Sequence, residues 1–196
     1  MSIESTLELD DIQSGVLRPR STPYHATYVI FRIDDRQAGR ELIRRLSEVD
    51  ASAAHPTSPA GDTWVSTALS YQGLKALGVP RASLESFPPE FQQGMAPRAN
   101  LLEDSGESSS ENWEKPLGSA DVHVVVTALA PDAERLEAVL KRARRAYQDY
   151  RASRQSGGRI VMFCQVRRKR SVSRMGSVTL LSKGVVFPGL TLTSVH

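Results

Sequence analysis

The sequence predicts an α+β domain: one antiparallel sheet with helices packed on one of its faces. Three observations predict it. Four apolar runs rich in β-branched residues read as strands. Two amphipathic helical patterns each lie between a pair of those runs. A long polar stretch parts the chain into two halves of the same order, β-α-β. Two such halves make a ferredoxin-like split βαβ sandwich, a four-stranded antiparallel sheet with its helices on one face and a long insertion between the halves.

The first strand is "HATYVIFRI" (His25–Ile33), which follows the turn-forming "RPRSTP". "DDRQAGRELIRRLSEVD" (Asp34–Asp50) comes next. It places Ala38, Leu42, Ile43, Leu46 and Val49 at helical spacing, with acids at its start, where they favour the positive end of the helix dipole. "ASAAHPTSPAGD" is a loop by composition, and "TWVSTALS" (Thr63–Ser70) is the second strand. "SYQGLKALGV" reads as a short helix stopped by Gly78 and Pro80.

From Pro80 to Ser119 the chain is polar and rich in proline, and only Glu90–Leu102 suggests a helical turn or two. "DVHVVVTALA" (Asp121–Ala130) is the third strand. "PDAERLEAVLKRARRAYQDY" (Pro131–Tyr150) is a helix opened by Pro131 and Asp132, with Leu136, Val139, Leu140, Ala143 and Tyr147 on one face. "RIVMFCQV" (Arg159–Val166) is the fourth strand. The expected organisation is an amino-terminal extension over 1–20, a domain over 21–166 with a long polar loop at 80–119, and a basic, irregular tail over 167–196.

At 196 residues with 40% hydrophobic and 24% charged content, the chain suits one domain with its own core. No apolar stretch reaches the roughly 18–20 residues that span a bilayer. "MSIESTLELDD" lacks the basic and apolar regions of a signal peptide, so a cytoplasmic location and no membrane association are expected. Cys164 is the only cysteine, which excludes an intrachain disulfide and a cysteine-built metal site.

Charge is divided along the chain: residues 1–134 carry 11 Lys and Arg against 20 Asp and Glu, and residues 135–196 carry 14 against 2. The last acid is Asp149. The basic run Arg167, Arg168, Lys169, Arg170, Arg174 and Lys183 lies beyond it.

No constellation of catalytic residues emerges. His25, His55, His123 and His196 lack metal-ligand spacing, and His123 on its strand reads as a structural or surface histidine. The acid pairs Asp10–Asp11 and Asp34–Asp35 sit at element boundaries, where acids favour helix starts. Lys141, Arg142, Arg144 and Arg145 read as a solvated helix face. A ferredoxin-like sheet binds RNA through aromatic residues on its central strands, and "DVHVVVTA" and "RIVMFCQV" offer only Phe163. Nucleic-acid binding through the basic tail therefore ranks last among the functions considered.

At the front of the chain "LDDIQSGVLRP" (Leu9–Pro19), "HATYVIFRI", "STALSYQGLKALGVP" (Ser66–Pro80) and "SFPPEFQQGMAPRANLLEDSGESSSENWE" (Ser86–Glu114) together resemble the amino-terminal half of the dye-decolourising (DyP-type) haem peroxidases. In that family an Asp-Ile-Gln-x-x-Val-Leu opening precedes the first strand, and Asp11, Ile12, Gln13, Val16 and Leu17 fit it. A Leu-x-x-Leu-Gly-Val-Pro segment follows, matched by Leu74, Leu77, Gly78, Val79 and Pro80. Then come Phe-x-x-Gly-Met-x-x-Arg and a Trp, matched by Phe91, Gly94, Met95, Arg98 and Trp113. The similarity runs from about Leu9 to Phe163. The resemblance implies two ferredoxin-like domains with haem between them, and hydrogen-peroxide-dependent oxidation of dyes or phenolics.

After the fourth strand the family places a Gly-x-x-Asp-Gly motif with its distal aspartate. A distal arginine and the proximal histidine that ligates iron follow in a second domain. None of these is matched from about residue 165 onward, and His196 has no supporting context, so a truncation or frameshift is expected there. Peroxide chemistry needs an axial ligand and a positioned acid–base group. No catalytic, cofactor-binding or metal-ligating residue is assigned. The resemblance thus implies a peroxidase domain that is inactive alone and does not stably bind haem. The alternative is a non-catalytic ferredoxin-like module that binds a partner chain or a small ligand, and whose uncovered sheet face would tend to self-associate.

Overall fold

The computed structural model describes residues 8–9, 12–17, 24–48, 62–152 and 158–168; side chains are described throughout these except at Ser14, Leu17, 148–152 and 158–168. Four strands, β1 (Tyr24–Ile33), β2 (Trp64–Leu69), β3 (Val124–Ala130) and β4 (Gly158–Arg168), form one sheet in the order β2-β3-β1-β4. Every neighbouring pair is antiparallel. Val29 stands opposite Val126 on one side and Phe163 on the other, and the pairing with β4 slips between Ile30 and Phe31.

Side chains alternate across a strand, so each face takes every second residue. Val29, Phe31 and Ile33 of β1 and Val124, Val126 and Ala128 of β3 share one face. Helices α2 (Arg36–Glu48) and α6 (Ala133–Ala152) cover it. Leu42 and Leu46 come from α2; Leu136, Val139, Leu140, Ala143 and Tyr147 come from α6, all buried. These are residues expected from helical spacing; Ala38 and Ile43 pack at the margin, and Val49 lies outside the described residues. Phe31 meets Tyr147 edge to face, with ring centroids 5.3 Å apart, the arrangement that brings a positive ring edge to a negative face.

The acids at the helix starts act there as caps. Asp35 Oδ1 accepts the Ala38 amide hydrogen and Asp132 Oδ1 accepts that of Arg135, each at 2.8 Å. Asp34 instead pairs with Arg32.

A second, smaller cluster of Tyr24, Ala26, Trp64 and Leu129 occupies the other face, with Tyr28 partly buried beside it. The short helix α1 (Ser14–Leu17) lies at that face, held by Gln13. The Gln13 carboxamide accepts from Thr67 N at 2.7 Å and donates to Thr67 O at 3.0 Å. It satisfies both backbone groups of one residue on an edge strand, as a further strand would.

The polar stretch 80–119 contains α4 (Arg81–Glu85), α5 (Pro89–Gln93) and single 3₁₀ turns at Ala96–Arg98, Gly106–Ser108 and Ser110–Asn112. The helical turn expected over Glu90–Leu102 is thus divided, because Gly94 takes φ +76° and stops α5. Trp113 organises the rest: its indole Nε1 donates to Ser108 O at 2.9 Å, and its ring lies against Gly118.

β4 continues through Arg168, so the first two residues of the expected tail belong to a strand. Residues 169–196 lie outside the described residues, as do Asp10, Asp11 and His55.

Candidate functional site

Helix α3 (Tyr71–Ala76), directly after β2, is fastened to the segment that enters β3. Ser70 caps it: its hydroxyl accepts from Gly73 N at 3.0 Å and donates to Val122 O. Ser70 N donates to His123 O at 3.1 Å. A Cβ on Gly73 would stand 2.1 Å from His123 O, so only glycine lets helix and backbone meet this closely.

His123 completes the junction. Its amide donates to Phe31 O, its Nδ1 accepts from Ile33 N at 2.8 Å, and its Nε2 lies 2.9 Å from Ala120 O. Both ends of the long insertion are thereby tied to the same end of the sheet. At the far end of α3, Arg40 Nε donates to Leu77 O at 2.9 Å, and Arg36 packs over Gly78, which has φ +73°.

Beside the tie between Ser70 and Val122 lies a cleft of about 470 Å³. Tyr71 from α3, Phe91 from α5, and Met95 and Leu117 from the insertion form its apolar wall, and Glu90 also lines it. Tyr71 and Phe91 meet edge to face at 6.2 Å, and Phe87 backs Phe91 at 5.0 Å. Met95 and Leu117 are 57% and 40% exposed, so the wall is apolar and open to water.

Of the residues singled out from the sequence, Phe91, Gly94 and Met95 come together here. Gln13, Gly78 and Trp113 sit elsewhere and hold backbone in place. Tyr71, Glu90 and Leu117 were not marked by sequence reasoning. The signal available for them was the scatter of large apolar residues through a stretch otherwise rich in Ser, Glu and Pro.

His123 does not fit an axial haem ligand, since coordination would take a ring nitrogen already bonded to the backbone. His25 is half-buried on β1 opposite Ala130. Among the described residues no group of three or more His, Cys, Asp or Glu side chains could hold a metal ion. No described helix is long and apolar enough to cross a membrane. On α6, Arg144 pairs with Glu137, and Lys141, Arg142 and Arg145 are exposed.

No family model matches the chain, and no curated protein matches its sequence. Solved structures do match in fold. A crystal structure of DyP superposes with a TM-score of 0.66 at 16% identity, over 85% of this chain and 35% of that one. The fungal DyP-type peroxidase from Auricularia auricula-judae gives 0.61 at 18% identity, covering 86% and 35%. An ancestral D-type dye-decolorizing peroxidase gives 0.64 at 21% identity, covering 85% and 36%. The chain thus spans little more than a third of the length of these proteins. The α+β fold of this chain, an antiparallel sheet with helices, is the fold of one portion of the DyP-type peroxidases.

Proposed function

We propose that this chain is the amino-terminal, ferredoxin-like domain of a DyP-type haem peroxidase. The carrying observation is the shared fold over 85% of the chain, at a TM-score of 0.66. Gln13 clamps the edge of β2, Gly78 takes a positive φ beneath Arg36, and Trp113 closes the insertion. The strand order β2-β3-β1-β4, with α2 and α6 on one face, supports the ferredoxin-like split.

The activity implied is hydrogen-peroxide-dependent oxidation of dyes or phenolics at haem, chemistry that haem supplies when bound. His123 is committed to holding Ile33 and Ala120 together, so the proposal routes no step through it. On this reading the chain alone neither holds haem stably nor turns over dye. Haemin titration of the purified protein tests this: no axially ligated Soret spectrum and no peroxide-dependent dye loss are expected. A stable Soret band with turnover would overturn it. The single cysteine, Cys164, suits a reducing compartment, and we place the chain in the cytoplasm.

A second reading, an interaction module that self-associates, is favoured by the sheet face opposite the helices. Tyr28 and Val125 are only half-buried there, and Ala68 is exposed. Concentration-dependent dimers in sedimentation, lost on Val125→Lys, would support it; a monomer at all concentrations would exclude it.

A further inference from the structure

We propose that the cleft beside α3 and α5 is a binding site for a small organic cation with an aromatic body. This inference is independent of the haem reading, since it uses only residues of the insertion and α3. Its volume of about 470 Å³ lies within the range of small-molecule sites, which combine apolar walls with a few polar groups. The wall is built from Tyr71, Phe91, Met95 and Leu117. Aromatic rings held edge to face and backed by Phe87 present a firm surface, while the unbranched Met95 thioether adapts to the shape laid against it.

Charge selects the sign of the ligand. Glu90 is the single charged side chain lining the cleft, and no ion pair engages it among the described residues. Residues 81–121, the segment that supplies most of the lining, carry eight acids against three bases. A carboxylate beside aromatic faces, in a negative field, attracts an ammonium and repels a carboxylate. Lys75 lies over Tyr71 at 5.9 Å but is not part of the lining, so among the described residues no basic side chain lines the cleft to receive an anion.

The test uses three probes of one shape: 1-naphthylmethylammonium, 1-naphthylmethanol and 1-naphthylacetate. Each is titrated into the full chain by fluorescence, and the methyl signal of Met95, one of four methionines, is followed by NMR. The ammonium should bind saturably with a shift at Met95, the alcohol more weakly, and the acetate least. Glu90→Gln should weaken the ammonium about two- to fivefold and leave the alcohol unchanged, as expected of an exposed charge pair. Met95→Ser, at an exposed position, should weaken ammonium and alcohol alike. Equal binding of ammonium and acetate, an affinity indifferent to Glu90→Gln, or an unmoved Met95 methyl would each overturn the proposal.

Discussion

The Nδ1 of His123 lies 2.8 Å from the amide nitrogen of Ile33, 90 residues away in sequence, and accepts its hydrogen. Because Ile33 can only donate, Nδ1 carries no proton, and Nε2 carries the proton that Ala120 O accepts. One ring thus bridges the end of β1 and the end of the insertion. His123→Ala would leave the Ile33 amide without its partner, at a cost of about 1–3 kcal/mol. Urea unfolding should report that loss, with faster hydrogen exchange at Ile33 than at Val29. An unchanged midpoint would show that water replaces the imidazole without cost.

Gln13 makes a comparable bridge on β2, an edge strand of the sheet. Its amide faces one residue's N–H and C=O together, so the two ends of the carboxamide are not interchangeable. Gln13→Glu would set a carboxylate oxygen against Thr67 O. It should therefore destabilise by at least as much as Gln13→Ala, roughly 1–2 kcal/mol. Equilibrium unfolding of both variants decides this; a Glu variant as stable as the parent would mean that α1 is not held by this pair.

Thr27 is fully buried on β1, and its hydroxyl has no hydrogen-bond partner among the described residues. A buried hydroxyl without a partner carries a desolvation cost that a methyl group of the same size does not. Thr27→Val should accordingly be neutral or stabilising by about 1 kcal/mol, read as a raised melting temperature. A lowered melting temperature would reveal a partner for the hydroxyl.

Glu41 on α2 bonds first to Arg44 and then to Arg45, which together hold its carboxyl down from 4.5 to about 2. A depressed folded-state value means that the contribution to stability is present above pH 4.5. It fades as the pH falls towards 2. The pair is exposed, so the effect is small and screened by salt. The difference in unfolding midpoint between the parent and Glu41→Gln should shrink between pH 6 and pH 3. A difference that stays constant would rule out this ion pair as its source.

Most of the secondary structure was legible in the sequence. The stripe Leu136, Val139, Leu140, Ala143 and Tyr147 reads as one helical face, and that face is buried. The junction at His123 was not legible. Its strand neighbours suggested only which way the ring points, whereas its two partners come from Ile33 and Ala120. The insertion was harder still. Short helices such as α4 and α5 carry too few residues to show a period, and proline and glycine break whatever pattern begins. Phe91 and Met95 were visible as motif residues, but their meeting with Tyr71 and Leu117 depends on how the chain turns between them.

By itself the sequence determined the order β-α-β, insertion, β-α-β and the faces that would be buried, because alternation and helical spacing act over a few neighbouring residues. It also determined the similarity to the DyP-type peroxidases and the division of charge along the chain. Only the tertiary structure decided that the two ends of the insertion meet at one end of the sheet. Ser70, Gly73 and His123 make that meeting, and the cleft opens beside it. Contacts of this kind join residues 50 to 90 positions apart. No local pattern encodes them, since they follow from antiparallel strand pairing that brings β2, β3 and β1 side by side.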